Sequence, residues 1–311
     1  MQTILGATGQ IANELAKELK NKYTADIKLV SRNPRKVNDS DILFSANLLD
    51  YQQISNAVKG SQVVYLTVGL PMDTKLMQRQ FPVFMRNAIN AAIEHGAKLV
   101  FFDNTYMYPQ NNVPLTEETK FDPVGPKGKV RAEVANMLLD AIHVGRLSAA
   151  ICRAPEFYGP DETRGITNSL VFENINKGRE PKVLVRDDTL RTLIWTPDAS
   201  RATALIGNTP DAYNQTWHLP CDDNRLTFRQ IIEFASSVCG RDLHHKILNK
   251  FFLRGASLFK NNLRELLELL PRYEQDNIFL SDKFKRRFPQ FQIATYKEGI
   301  EVILKKGNLQ R

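Results

Sequence analysis

Residues 1–19 read MQTILGATGQIANELAKEL, and no other stretch constrains the fold as strongly. The apolar run at residues 3–5 predicts a short strand. Gly6, Ala7, Thr8 and Gly9 turn the chain, and residues 11–19 carry apolar side chains at helical spacing. A strand, a glycine-rich turn and a helix in that order form the opening βα unit of a dinucleotide-binding fold. Gly6 permits the tight turn, Gly9 lets backbone approach a pyrophosphate, and the small Ala12 lets helix pack closely on strand. A helix start also offers backbone N–H groups and partial positive charge to phosphate. Gly6, Thr8, Gly9, Gln10 and Ile11 are therefore candidate cofactor-binding residues. The competing reading is an ordinary glycine turn, and the strand before it and helix after it weigh against that.

The same alternation continues downstream. Strands are expected at 27–30, 41–46, 63–68, 99–102 and Ala149–Arg153. Helices are expected at Tyr51–Val58, Thr74–Glu94 and 129–142. This order predicts an α/β fold, a Rossmann-type doubly wound parallel sheet with right-handed crossovers. After Pro155 the pattern changes to turns and shorter elements, with helical tracts at 227–238 and 251–270, the latter ended by Pro271. The expected division is a dinucleotide-binding domain at 1–155, rejoined by 186–210. A smaller substrate-binding region is expected at 156–185 and 211–311.

Composition narrows the class. The chain has 311 residues, 42 % of them apolar, enough for one large domain or two smaller ones. No apolar run approaches spanning length, and the N-terminus reads as a strand rather than a signal peptide. Cys152, Cys221 and Cys239 are odd in number and scattered, which favours a reducing compartment, and a cytoplasmic location is expected. The five histidines show no metal-ligand spacing, so no metal is expected. The net charge is +8. Basic residues are spread along the chain. The late cluster Lys283, Lys285, Arg286 and Arg287 reads as a helix end or solvated face rather than a nucleic-acid site. A basic surface suits anionic cofactors and substrates.

Seven segments in order carry a family resemblance. They are GATGQIA at 6–12, ANLLD at 46–50, LVFFDNTYMYP at 99–109, KVRAE at 129–133, RAPEFYGP at 153–160, RTLIWTPDASRA at 191–202 and WHLPCDDNRLTFRQI at 217–231. The chain resembles an extended short-chain dehydrogenase/reductase of the NAD-dependent epimerase/dehydratase family. The resemblance implies a small-molecule substrate, and it carries cofactor contacts onto Asn47 and Leu48 after strand three. It also carries them onto Thr67, Val68 and Gly69 after strand four. Asn47 stands where the family usually has an aspartate near adenine.

The end of strand two bears on cofactor type. An acid there binds the ribose 2′-hydroxyl of NAD, whereas an arginine accommodates the 2′-phosphate of NADP. The residues here are Ser31, Arg32 and Asn33, with no acid in the turn. NADP is therefore expected, with NAD as the alternative.

Around the nicotinamide the chain departs from the family pattern. The resemblance implies a Ser or Thr after strand five, and Tyr-x-x-x-Lys opening the next helix. The tyrosine exchanges a proton with substrate, the lysine binds nicotinamide ribose, and the hydroxyl steadies the developing oxyanion. Aligning KVRAE makes Lys129 the lysine and puts Gly125 at the tyrosine position. Aligning MYP puts Asn104 at the Ser/Thr position. Lys127 is the alternative lysine, and its upstream partner would be Pro123. Tyr106 is the candidate substitute acid. Two alternatives to a substitute acid stay open: chemistry that needs no tyrosine, and NADP(H) binding without turnover in a regulatory or scaffold protein. Tyr108, Glu156, Tyr158 and Arg191 are candidate substrate-binding residues. Arg191 aligns with a position that grips substrate diphosphate in sugar-nucleotide enzymes. Its competing reading is a surface salt bridge to Asp187 or Asp188. Asp198 and Arg201 read as helix-start residues. The resemblance also implies a homodimer through two helices, Thr74–Glu94 and 129–142, with Met85, Ile89, Val134 and Leu138 as interface candidates. The alternative is that these side chains cover the sheet.

Overall fold

The computed structural model describes residues 1–160 and 163–309. In chain order it contains β1 (Gln2–Leu5), α1 (Gln10–Lys22), β2 (Ile27–Ser31), β3 (Ile42–Ser45), α2 (Tyr51–Val58), β4 (Val63–Leu66), α3 (Thr74–Glu94), β5 (Lys98–Asp103), α4 (Pro126–His143) and β6 (Ala149–Arg153). Next come β7 (Glu156–Tyr158), α5 (Glu173–Asn176), β8 (Lys182–Leu184), β9 (Leu190–Arg191), β10 (Leu193–Trp195), α6 (Thr196–Gly207) and β11 (Gln215–His218). The described chain closes with β12 (Leu226–Thr227), α7 (Phe228–Cys239), β13 (Lys246–Leu248), α8 (Lys250–Ser257), α9 (Asn261–Leu267), α10 (Asp282–Arg287) and α11 (Tyr296–Leu309). Two compact units result. The first holds Met1–Tyr108, Phe121–Ala154 and Ala199–Leu219; the second holds Pro109–Lys120, Pro155–Asp198 and Pro220–Arg311. The segment that returns to the first unit thus begins at Ala199 and runs to Leu219, later than the 186–210 expected from sequence.

The first unit is a parallel sheet in the order β11-β6-β5-β4-β1-β2-β3. β1, β2, β4 and β6 are buried at every position. Strands covered on both faces carry near-continuous apolar runs, which is why VVYL and AAIC show no alternation. β3 lies at an edge, and its Ile42 and Leu43 are exposed. β1 sits between β2 and β4, so the strand order reverses there. Ligands of open α/β sheets bind outside the carboxyl ends of the strands at such a reversal. The loops after Leu5 and Leu66 are therefore where a ligand site belongs.

Helices cover the sheet with their apolar faces. α1 buries Ile11, Ala12, Leu15, Ala16 and Leu19. The α3 and α4 residues Met85, Ile89, Val134 and Leu138 lie in the same buried cluster as Leu5, Leu66 and Phe101. These four are thus taken up by the chain's own core, the alternative in which they cover the sheet. α4 begins at Pro126, three residues earlier than expected, because proline suits the first helical position. β11 is a strand that the sequence pattern does not reveal. Only two of its four residues are buried, so QTWH reads as turn-like in isolation.

The second unit has its own core, including Tyr158, Phe172, Leu193, Phe228, Ile232, Tyr273, Tyr296 and Ile300. Three two-stranded sheets, β10-β7, β12-β9 and β13-β8, supply its framework. The helical tract expected at 251–270 is two helices, α8 and α9, followed by a 3₁₀ turn at Leu270–Tyr273. Pro271 opens that turn rather than ending a long helix. Lys285, Arg286 and Arg287 occupy the last turn of α10, where positive charge meets the helix dipole.

Candidate functional site

The glycine turn resolves into two residues with different duties. Gly6 has φ +93°, and a Cβ there would lie 2.7 Å from Val68 Cα. Its glycine is required by left-handed backbone and by the close approach of the β4 loop. Gly9 is the N-cap of α1 with ordinary extended backbone. A Cβ there would meet only Gly6 O at 3.7 Å and Thr67 O at 4.0 Å. No internal packing demands a glycine at position 9. The N-cap of α1 gives no side-chain hydrogen bond, and its first turn contains no acid. Thr8 is exposed, Gln10 half-buried and Ile11 buried. Ser200 of α6 donates to Ile11 O at 3.1 Å, which ties α6 to the start of α1.

The end of β2 presents a matched pair of donors. Ser31 is buried, and its Oγ has no hydrogen-bond partner among the described residues. A buried hydroxyl left unsatisfied costs roughly 1–3 kcal/mol, so such an atom marks a place for an external acceptor. Arg32 beside it is exposed. Asp41 is committed elsewhere, accepting from Val37 N at 3.0 Å and Asn38 N at 2.7 Å. Asn47 is exposed, and its Oδ1 accepts from Leu49 N at 3.1 Å, which leaves its amide Nδ2 as the outward donor. Leu48 is buried; its carbonyl accepts from Asn87 Nδ2 at 3.0 Å. The Thr67 hydroxyl donates to Leu5 O at 3.2 Å, so it clasps β4 to β1. Val68 is half-buried and Gly69 is exposed with nothing near its Cβ position.

At the end of β5 the chain builds a buried ionic network that sequence reasoning did not find. Asp103 Oδ1 accepts from Arg131 Nε at 3.1 Å and also from its Nη2. Asp103 Oδ2 accepts from Arg153 Nε and Nη2, both at 3.3 Å. Arg153 Nη1 donates to Tyr108 Oη at 2.7 Å, and that hydroxyl lies 2.7 Å from His218 Nε2. All five side chains are buried. The network joins β5, α4, β6 and β11, and it fixes the Asn104–Tyr108 turn. Tyr108 is thereby an interior residue. The sequence signal was Asp103, the lone acid closing an apolar strand, with Arg131 and Arg153 ahead of it.

Asn104 Oδ1 accepts from Tyr106 N at 3.0 Å, closing the turn after β5. Tyr106 is half-buried. Its carbonyl sits against α4, where a Cβ on Gly128 would come within 2.6 Å of it. That contact brings the Tyr106 turn to the first turn of α4, which also carries Gly125 and Lys129. Gly125 is the N-cap and provides no side-chain bond. The two lysines differ sharply. Lys127 is buried with Nζ 2.8 Å from Thr74 Oγ1 of α3, whereas Lys129 is exposed. Lys129 is therefore the lysine with reach beyond the protein.

In the second unit Glu156 and Arg191 face each other. Glu156 Oε1 accepts from Thr167 N at 3.2 Å and Oγ1 at 2.5 Å. Its Oε2 accepts from Tyr273 Oη at 2.9 Å and Arg191 Nη2 at 3.4 Å. The Arg191 guanidinium also donates to Arg272 O and lies 4.4 Å from the Tyr273 ring centre. It is buried, and its Nε has no hydrogen-bond partner among the described residues. Arg191 thus pairs with Glu156 rather than Asp187 or Asp188, which bind Arg229 and Arg186 instead. Tyr158 is buried among Trp195 and Tyr296. Asp198, in the first turn of α6, accepts from Ala294 N at 2.7 Å. No cluster of His, Cys, Asp and Glu suited to a metal occurs among the described residues.

The model of the NAD dependent epimerase/dehydratase family matches residues 3–218. The chain belongs to this family. Solved epimerase structures share the fold. UDP-glucuronic acid 4-epimerase from Bacillus cereus, in complex with NAD, aligns at TM-score 0.80 and 12 % identity over 100 % of this chain and 99 % of its own. UDP-glucose 4-epimerase from Thermotoga maritima, with UDP-glucose, aligns at 0.78 and 16 % over 100 % and 99 %. UDP-N-acetylglucosamine 4-epimerase from Methanobrevibacter ruminantium M1, in complex with UDP-N-acetylmuramic acid, gives 0.78 and 16 % over 100 % and 98 %. No curated protein sequence matches significantly. For a member of the epimerase/dehydratase family, the glycine turn at β1 and the donors after β2 stand where the sheet order places a dinucleotide.

Proposed function

We propose that this epimerase/dehydratase-family chain binds NADP(H) and carries out reduction or epimerase-like redox chemistry on a small polar or sugar-like molecule. The observation that carries the cofactor choice is the end of β2. There a buried Ser31 hydroxyl, without a hydrogen-bond partner among the described residues, adjoins exposed Arg32; no acid stands at Ser31–Asn33, and Asp41 further on is held by backbone N–H groups. A 2′-phosphate would satisfy both donors. The pyrophosphate belongs at Gly9 and the uncapped start of α1, with Asn47 near adenine and Lys129 near the nicotinamide ribose. The bound cofactor supplies or accepts hydride. Asn104 Nδ2 is a donor for the developing oxyanion, and Tyr106 is the proton donor in place of the missing tyrosine. Arg191 donates to Glu156 and Arg272 O and keeps its Nε without a partner among the described residues, which leaves it a candidate substrate contact.

Fluorescence titration tests the cofactor assignment. NADPH should bind more tightly than NADH, and Arg32→Ala should erase the difference, a loss of about 10- to 100-fold for one charge-assisted bond. Lys129→Ala should weaken both cofactors by about fivefold or more. Equal affinities in the unmodified protein would overturn the NADP assignment. A substrate panel read by NADPH absorbance then tests turnover, and Tyr106→Phe should abolish any activity found. A second reading, binding without turnover, is favoured by Gly125, which offers no acid at the usual tyrosine position. An empty panel beside tight NADPH binding would establish it.

A further inference from the structure

The second unit carries an apolar surface that the proposed cofactor chemistry does not use. α8 turns Leu253 and Ser257 inward, and Leu253 joins the unit's core. Its opposite side and the residues that follow expose Phe251 at 85 %, Phe252 at 57 %, Leu258 at 72 % and Phe259 at 89 %. Phe251 and Phe252 lie on the first turn of α8, and Leu258 and Phe259 in the turn that follows its end at Ser257. Exposed large side chains are normal singly; four in one short stretch mark an interaction surface.

Charge selects the occupant. Residues 241–264 contain six Lys and Arg against one acid, Asp242. Lys250 is paired with Glu274. Arg254, Lys260 and Arg264 are exposed, and among the described residues no carboxylate pairs with them. A second copy of the chain would bring two such basic rims together, which is unfavourable. No described helix is long and apolar enough to cross a membrane, so contact with a bilayer would be interfacial. Aromatic and aliphatic side chains on a short helix and the turn after it, with Lys and Arg beside them, fit a headgroup–acyl boundary bearing negative charge.

We propose that α8 and the turn after it dock the protein on an anionic lipid surface, with Phe251, Phe252, Leu258 and Phe259 entering the interface and Arg254, Lys260 and Arg264 meeting acidic headgroups. Co-sedimentation of the full chain with vesicles tests this. One set is phosphatidylcholine alone, the other equal parts phosphatidylcholine and phosphatidylserine. The anionic vesicles should bind at least about tenfold more tightly, and added salt should weaken the binding. Phe251→Ser with Phe259→Ser, and separately Arg254→Glu with Lys260→Glu, should each lower that binding by about tenfold or more. All four positions are exposed, so circular-dichroism melting should be unchanged. Equal binding to both vesicle sets, or none, would overturn the proposal. So would retention of binding in either double variant. A dimer that the Phe double variant dissociates, without vesicle binding, would assign the surface to a second copy. Binding to polyglutamate but not to vesicles would assign it to an acidic polypeptide.

Discussion

At the scale of single residues, the two glycines of one motif separate structural from ligand-facing demands. Gly6 is held at φ +93° with the Val68 backbone 2.7 Å from where a Cβ would sit. Gly6→Ala should therefore destabilise the fold by at least about 2 kcal/mol, from left-handed strain plus overpacking. Gly9 meets neither constraint. Gly9→Val should cost no more than about 1 kcal/mol in stability, the difference between a fair and a poor N-cap. It should nevertheless abolish NADPH binding, because the branched side chain fills the space before the first turn of α1. Urea denaturation and calorimetric titration of both variants check the pair. Normal cofactor binding by Gly9→Val would remove the pyrophosphate from this turn. Both glycines were legible in sequence, but their division of labour was not, because it depends on a loop more than fifty residues away.

Among the elements, the ends of β5, β6 and β11 and the first half of α4 are joined by one carboxylate. Asp103 holds Arg131 and Arg153, and Arg153 holds Tyr108. The two guanidinium groups also lie over aromatic rings, Arg131 over Phe81 at 4.7 Å and Arg153 over Phe121 at 5.2 Å. Removing the carboxylate would leave two buried cations uncompensated. Asp103→Ala should cost about 3–5 kcal/mol, measured by urea denaturation at neutral pH. A loss under about 1 kcal/mol would mean that the guanidinium groups find other partners or water. The elements themselves were readable where strands were long apolar runs and helices had clear periodicity. β11 and the break between α8 and α9 were not, because short half-buried segments carry little periodic signal.

Across the whole molecule, the thiols report on the integrity of both units. Cys152 lies in β6 of the first unit and Cys221 in the second, and both are buried. Burial pushes both thiols well above their ordinary range, which suppresses the reactive thiolate. Cys239, at the end of α7, is only half-buried. A thiol-specific reagent should label one cysteine in the native protein and three in denaturant. Mass mapping should find the native label at Cys239. Rapid native labelling at Cys221 without labelling at Cys152 would show that the second unit opens independently of the first.

The sequence by itself determined the parallel α/β architecture, the glycine turn at Gly6–Gly9 and the family. These rest on local signals: apolar strands, helical periodicity, and glycines at fixed offsets. It also pointed to Ser31 and Arg32, since a turn without an acid is visible in one dimension. Only the tertiary structure decided which polar side chains are spent inside the protein. Tyr108 and Tyr158 look like site residues in their motifs, yet each is enclosed by elements distant in sequence. Lys127 and Lys129 are indistinguishable by type, and a hydrogen bond to Thr74 on α3 commits one of them. Arg191 reads from sequence as a phosphate grip or a surface salt bridge to Asp187 or Asp188, and the fold instead buries it against Glu156 and the Arg272 carbonyl. Residue type states what a side chain can bond, and the fold settles whether those bonds are already made.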